Sequence, residues 1–109
     1  MANSIIASEV KTIILACEAG MGSSLMSVNA LKKKLKAAKV NTVQVVHSSV
    51  REVPKGAQVI MVHKGLAKTV RSIAPNAVVV SFSQFLNDPV FDKVVRAFVE
   101  GKEIIASEG

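Results

Sequence analysis

The chain has 109 residues, 50% of them hydrophobic, with a mean hydropathy of +0.39 and a formal net charge of +6. That is enough apolar material for one globular core over about 10–101, and no basic-then-apolar leader opens the chain, so a single cytoplasmic domain is expected. Apolar runs stop far short of the roughly 20 residues that cross a bilayer, which excludes direct membrane insertion. One cysteine, Cys17, excludes a disulfide framework and suits a reducing compartment.

Residues 1–8 read as a tail. Lys11–Ala16 is apolar almost throughout, as a strand covered on both faces should be. It runs into Cys17 and the turn Glu18-Ala19-Gly20-Met21-Gly22-Ser23-Ser24. A helix is expected from about Ser24 to Ala38, because Leu25, Val28, Leu31, Leu35 and Ala38 recur at helical steps. Thr42–Val46, rich in β-branched residues, reads as the second strand. A connection from Ser48 to Gly56 follows, punctuated by Pro54-Lys55-Gly56. Gln58–Val62 is the third strand. Leu66, Ala67, Val70 and Ile73 mark a short helix that stops before Pro75. Ala77–Val80 is the fourth strand, and Phe82–Leu86 a turn or short helix. Asp88 as N-cap and Pro89 at the first helical position open the last helix. Phe91, Val94, Val95, Phe98 and Val99 are its expected buried face, Gly101 its stop, and residues 104–109 a second tail.

Strands alternating with helices imply an α/β fold. The expected form is a small open four-stranded parallel sheet, order 2-1-3-4, with helices on both faces. The first strand is then central. Ligands of such sheets bind beyond the carboxyl ends of the strands at the switch point, where Cys17 stands.

Strand, glycine-rich turn and helix N-terminus together point backbone N–H groups at an anion. Those donors and the helix dipole favour thiolate over thiol, and they suit a phosphate attached to sulfur. Gly20 and Gly22 give such a turn its conformational freedom. A lone cysteine is more often an inert buried hydrophobe, but Cys17 precedes two glycines and two serines in a loop. No Gly-Lys-Ser/Thr follows, so this is no Walker A loop, and the third glycine of a dinucleotide fingerprint is missing.

His47 and His63 close the second and third strands, flanking the central one, so each is a candidate for the loop rim, His63 the stronger. An imidazole there would stabilise thiolate or phosphate. With Cys17 they match no standard zinc spacing, so neither metal nor cofactor is expected. Glu18 beside the nucleophile would oppose thiolate formation if it faced inward, so it is expected to face outward. Lys32, Lys33, Lys34, Lys36 and Lys39 would attract polyanions. With no Trp, no Tyr and no Arg in the cluster, stacking and bidentate base readout are poorly supplied, which argues against nucleic acid. A solvated helix face, or docking of an acidic protein, fits better.

The run Ile14-Leu15-Ala16-Cys17-Glu18-Ala19-Gly20-Met21-Gly22-Ser23-Ser24 resembles the phosphorylation loop of enzyme IIB of the bacterial phosphotransferase system, its mannitol branch in particular. The likeness continues through Leu31-Lys32-Lys33-Lys34-Leu35 and Val59-Ile60-Met61-Val62-His63-Lys64, spanning about Val10 to Phe98. It implies a four-stranded parallel sheet similar to low-molecular-weight tyrosine phosphatases. It also implies that Cys17 takes a phosphoryl group from a phosphohistidine of IIA and passes it to a sugar, mannitol or a related hexitol, held by the membrane permease IIC. Glu18, Ala19, Gly20, Met21, Gly22, Ser23 and Ser24 would bind the phosphate, at the inner face of the cell membrane. The alternative is a small cysteine-dependent phosphatase or an arsenate reductase-like enzyme. Those clamp phosphate with an arginine six positions after the cysteine, where this chain has Ser23.

Overall fold

The structure is a computed structural model; it describes residues 4–17, 22–41, 43–54, 56–83 and 89–106, with backbone alone at 17 and 22–25. In chain order the elements are β1 (Ser4–Ile6), β2 (Thr12–Cys17), α1 (Gly22–Ala37), β3 (Gln44–Ser49), β4 (Val59–His63), α2 (Ala67–Ile73), β5 (Val78–Phe82), α3 (Pro89–Glu100) and β6 (Glu103–Ile105). Four strands form a parallel sheet of order β3-β2-β4-β5, which is the expected 2-1-3-4.

Alternation along each strand sends neighbouring side chains to opposite faces. Ile13, Leu15, Val59, Met61, Val78 and Val80 meet α1 and α3 through Val28, Leu31, Leu35, Phe91 and Val94. Ile14, Ala16, Ile60, Val62 and Val79 meet α2 through Ala67 and Val70, with Val50 and Val53 beside them. Burying each large side chain contributes about 1.5–3 kcal/mol, so β2 and β4, apolar on both faces, anchor both layers. Gln58 aligns their starts: its Nε2 donates to the Glu9 carbonyl (2.9 Å), and its Oε1 accepts from the Lys11 N–H (2.8 Å).

Each strand of the sheet ends one to three residues later than apolar patterning predicts. The ladder keeps pairing past the last apolar residue, because backbone bonds do not depend on side-chain polarity. The largest shift is β3. It is an edge strand with an uncovered face and tolerates Gln44, His47, Ser48 and Ser49 in the ladder. In α3, Pro89 is the first residue as expected, and Asp88 lies outside the described residues. Its buried residues are Phe91, Val94 and Ala97; Val95 and Phe98 are half-buried, and Val99 is 58% exposed, because the stripe is centred nearer Val94 than the pattern suggests.

Residues 4–8 and 104–105 are not tails. β1 and β6 pair antiparallel with Ser4 opposite Ile105 and Ile6 opposite Glu103, and Ala7 and Ile104 are buried in the core. The Ala7 N–H donates to the Lys102 carbonyl at 3.0 Å. Three-residue strands carry too little periodicity to stand out in sequence; pairing between the two ends of the chain makes them.

α1 and α3 end in the same way. The Val40 N–H reaches back to the Leu35 carbonyl (2.9 Å) and Lys39 N–H to Lys36 (3.0 Å), while Lys102 N–H reaches Ala97 (2.9 Å). These are Schellman closures, which put one residue in the left-handed region. After α3 that residue is Gly101 (φ 67°); after α1 it is Lys39 (φ 61°). A side chain there costs about 1 kcal/mol. Lys39→Gly should therefore stabilise the fold by about 1 kcal/mol, or roughly 4–8 °C in Tm. Lys39→Ala, which removes the charge but keeps Cβ, should gain nothing, and Gly101→Ala should lose a similar amount. Thermal unfolding of the three variants checks the set.

Candidate functional site at the carboxyl edge of the sheet

Register brings the last residues of four strands together. Cys17 of β2 pairs with Ser49 of β3, Ala16 with Val62, and His63 of β4 with Phe82 of β5. His63 is one residue beyond Val62 and Cys17 one beyond Ala16, so Ser49, Cys17, His63 and Phe82 form one row along the carboxyl edge. Neighbouring strands lie about 4.8 Å apart. Open parallel sheets hold ligands beyond such a row.

Four residues separate Cys17 from the start of α1 at Gly22. Helix starts leave their first N–H groups without intrahelical acceptors and carry the positive end of the dipole. Gly22, Ser23 and Ser24, expected as loop residues, form the first turn of α1, so the helix begins two residues earlier than its apolar stripe suggests. Gly22 accordingly has helical backbone and needs no unusual φ. Glu18, Ala19, Gly20 and Met21 lie outside the described residues. Position of α1 is fixed below that turn by the buried Val28, Leu31 and Leu35.

The two histidines separate. His63 is half-buried. Its Nδ1 accepts the Gly65 N–H at 3.2 Å, and the Phe82 ring meets it edge-on with centroids 6.2 Å apart and planes at 89°. Phe82 in turn packs on the fully buried Phe91 at 5.3 Å. His47 sits mid-strand and exposed, opposite Leu15, two residues short of the Cys17 row. The sheet does not bring it to the rim, because β3 runs on past it. Ser49 takes the place beside Cys17 instead. Sequence reasoning missed it by ending that strand at Val46; aligning the expected starts, Lys11 with Thr42, would have put Ser48 there, one residue short of the true register. The Ser48 hydroxyl donates to the Ser49 carbonyl at 2.9 Å, capping the strand end locally.

Of the α1 lysines, Lys34 spans to α3, its Nζ 3.0 Å from Asp92 Oδ1, while Lys32, Lys33 and Lys36, and Lys39 just past the helix, are exposed. Lys34 and Asp92 are both solvated, so the pair contributes little stability. Met26, 50% exposed on the second turn of α1, is an apolar contact near the helix start that patterning did not single out. Among the described residues no three His, Cys, Asp or Glu side chains gather to hold a metal ion, and no helix is long and apolar enough to cross a membrane.

The chain is similar to several known proteins. It is 39% identical over 93 residues to the mannitol-specific EIICBA component of the PTS system from Buchnera aphidicola subsp. Acyrthosiphon pisum (strain APS), covering 85% of this chain and 15% of that protein. Identity is 33% over 92 residues to the mannitol-specific EIICB component of Geobacillus stearothermophilus, covering 84% and 19%. For the mannitol-specific EIICB component of Staphylococcus saprophyticus the figures are 36% over 89 residues, 82% and 18%. The chain thus spans less than a fifth of the length of each relative. A solved structure, the lactose-specific IIB component domain of the phosphoenolpyruvate:carbohydrate phosphotransferase system from Streptococcus pneumoniae, overlaps with a TM-score of 0.48 and 12% identity, over 85% of this chain and 91% of that one. A family model described as the Lactose/Cellobiose specific IIB subunit of the PTS system matches residues 12–97. That match runs from the first residue of β2 into α3 and takes in the whole parallel sheet. The chain therefore belongs to the family of phosphotransferase-system IIB subunits.

Proposed function

We propose that Cys17 carries a phosphoryl group from a phosphohistidine of a IIA protein to a sugar bound by a membrane IIC permease. The observation that carries this reading is the place of the cysteine: last residue of a central strand, at the switch point, with four residues between it and the N-terminus of α1. The mannitol-specific relatives support mannitol or a related hexitol as the sugar. All three names join the B unit to a C unit, and the Buchnera name joins it to an A unit as well, which supports the two partners; on this reading the protein acts at the cytoplasmic face of the membrane.

Chemistry needs two in-line transfers. The Cys17 thiolate attacks phosphorus as the P–N bond of the phosphohistidine breaks, and the imidazole leaves with the bonding pair. N–H groups of Glu18 to Ser24, with the Ser23 or Ser24 hydroxyl, hold the phosphoryl oxygens by charge-assisted bonds of about 1.5–3 kcal/mol each. A sugar hydroxyl oxygen then attacks phosphorus and releases its proton to solvent, while the S–P bond breaks and restores the thiolate. A depressed thiol pKa serves both steps, giving more thiolate to attack and a better leaving group. The phosphatase alternative lacks its arginine, since Ser23 stands at that position in the first turn of α1. Losing that charge slows attack by water, which suits a carrier.

With phosphoenolpyruvate, enzyme I, HPr and a matching IIA, the protein should gain about 80 Da at Cys17, the mass of one phosphoryl group on the acceptor thiol. Cys17→Ser should remain folded and gain nothing, a hydroxyl being a far poorer nucleophile near neutral pH. Full labelling of the serine variant would remove Cys17 from the reaction.

Docking should centre on the start of α1. Met26 offers an apolar contact there, and Lys32 and Lys36 steer an acidic partner. Reversing both charges should lower the association rate about tenfold at low salt and much less at 0.5 M, where the Debye length falls to roughly 4 Å. Stopped-flow phosphoryl transfer across a salt series measures this; a loss independent of salt would place the partner elsewhere.

A further inference from the structure

We propose that His63 donates a hydrogen bond from Nε2 to the phosphoryl group on Cys17, with the Gly65 amide fixing the tautomer that makes this donor. The inference rests on the carrier reading above. A backbone amide is always a donor, so the ring nitrogen it meets is the one without a proton. That nitrogen is Nδ1, 3.2 Å from the Gly65 nitrogen. The neutral ring therefore keeps its proton on Nε2.

A ring contact adds a second constraint on the orientation of His63. The Phe82 ring stands against it at 89°, and Phe82 is itself held by Phe91. Gly65 stays close to the ring nitrogen it bonds: a Cβ there would be 3.4 Å from Nδ1. Register then puts His63 one residue past the Ala16–Val62 pair, on the strand next to Cys17. A donor on Nε2, carried by the strand beside Cys17, would meet a dianion formed on that residue. It also offers a partial substitute for the arginine absent at Ser23, without adding a fixed charge.

Amide side chains separate the two nitrogens. Glutamine reaches the position of Nε2 and asparagine only that of Nδ1. Phosphoryl uptake by Cys17 should be about tenfold to hundredfold slower in His63→Ala, the worth of one charge-assisted bond, should recover in His63→Gln and should stay slow in His63→Asn. Long-range 1H–15N correlation spectra of the free wild-type protein should show the Nε2–H tautomer, and phosphorylation should move the Nε2 resonance more than Nδ1. The Nδ1–H tautomer, uptake by His63→Ala at the wild-type rate, or equal rates for the glutamine and asparagine variants would each overturn the assignment. Thermal unfolding of each variant keeps a folding defect apart from a lost donor. If wild-type Cys17 takes up no phosphoryl group, the carrier reading itself falls. If it does, and His63→Ala matches it, only the role of His63 falls.

Discussion

Hydrogen bonding along both edges of β2 sets the height of everything else in the molecule. With β3 on one side and β4 on the other, its six residues admit one register; a slip by a single residue would turn Ile13 and Leu15 away from α1 and α3. Gln58 fixes the lower end of that register by bonding both flanks of the segment entering β2. The upper end follows. Because all four strands are parallel and in register, their final residues reach the carboxyl edge together. Sheet geometry thus places the Cys17 backbone at that edge.

Helix placement follows from the same strand. α1 begins four residues after β2 ends and is drawn onto the sheet by Val28, Leu31 and Leu35, each almost completely buried. That packing aims its first turn back toward the carboxyl edge, where the unsatisfied N–H groups are of use to an anion. The lysines on its outer face can then vary in position with little cost, since none of them holds the helix down. Lys34 is the exception in contact but not in energy, its bond to Asp92 being open to water.

Much of this was readable in the residues, and the parts that were not share a cause. The strand order, the helix stripe Val28-Leu31-Leu35 and the start of α3 at Pro89 all express local patterns: both-face burial, helical spacing and proline's fixed φ. What patterning missed depends on partners distant in sequence. β3 continues through Ser49 because β2 lies beside it, and β1 exists only because β6 does. The misplacement of His47 is one consequence: a strand ended at Val46 puts His47 at the rim, whereas the ladder gives that place to Ser49. His63 was legible because β4 stops almost where its apolar run stops. Its Gly65 bond and Phe82 contact were not, since both depend on side-chain direction at a strand end.

The family model is described by lactose and cellobiose, while the similar full-length proteins are described by mannitol. On the proposed reading both descriptions are compatible with one structure. The phosphoryl group is the only part of the product that Cys17 and α1 would hold, and its three terminal oxygens are the same whichever sugar comes next. A hydroxyl oxygen in line with the S–P bond is all that the second transfer asks of the acceptor. Sugar identity is then decided by whatever surface presents that hydroxyl. On this chain, selection between sugar systems would fall to docking residues near the start of α1, such as Met26, and to steering by the exposed lysines farther along that helix, rather than to the row that contains Cys17.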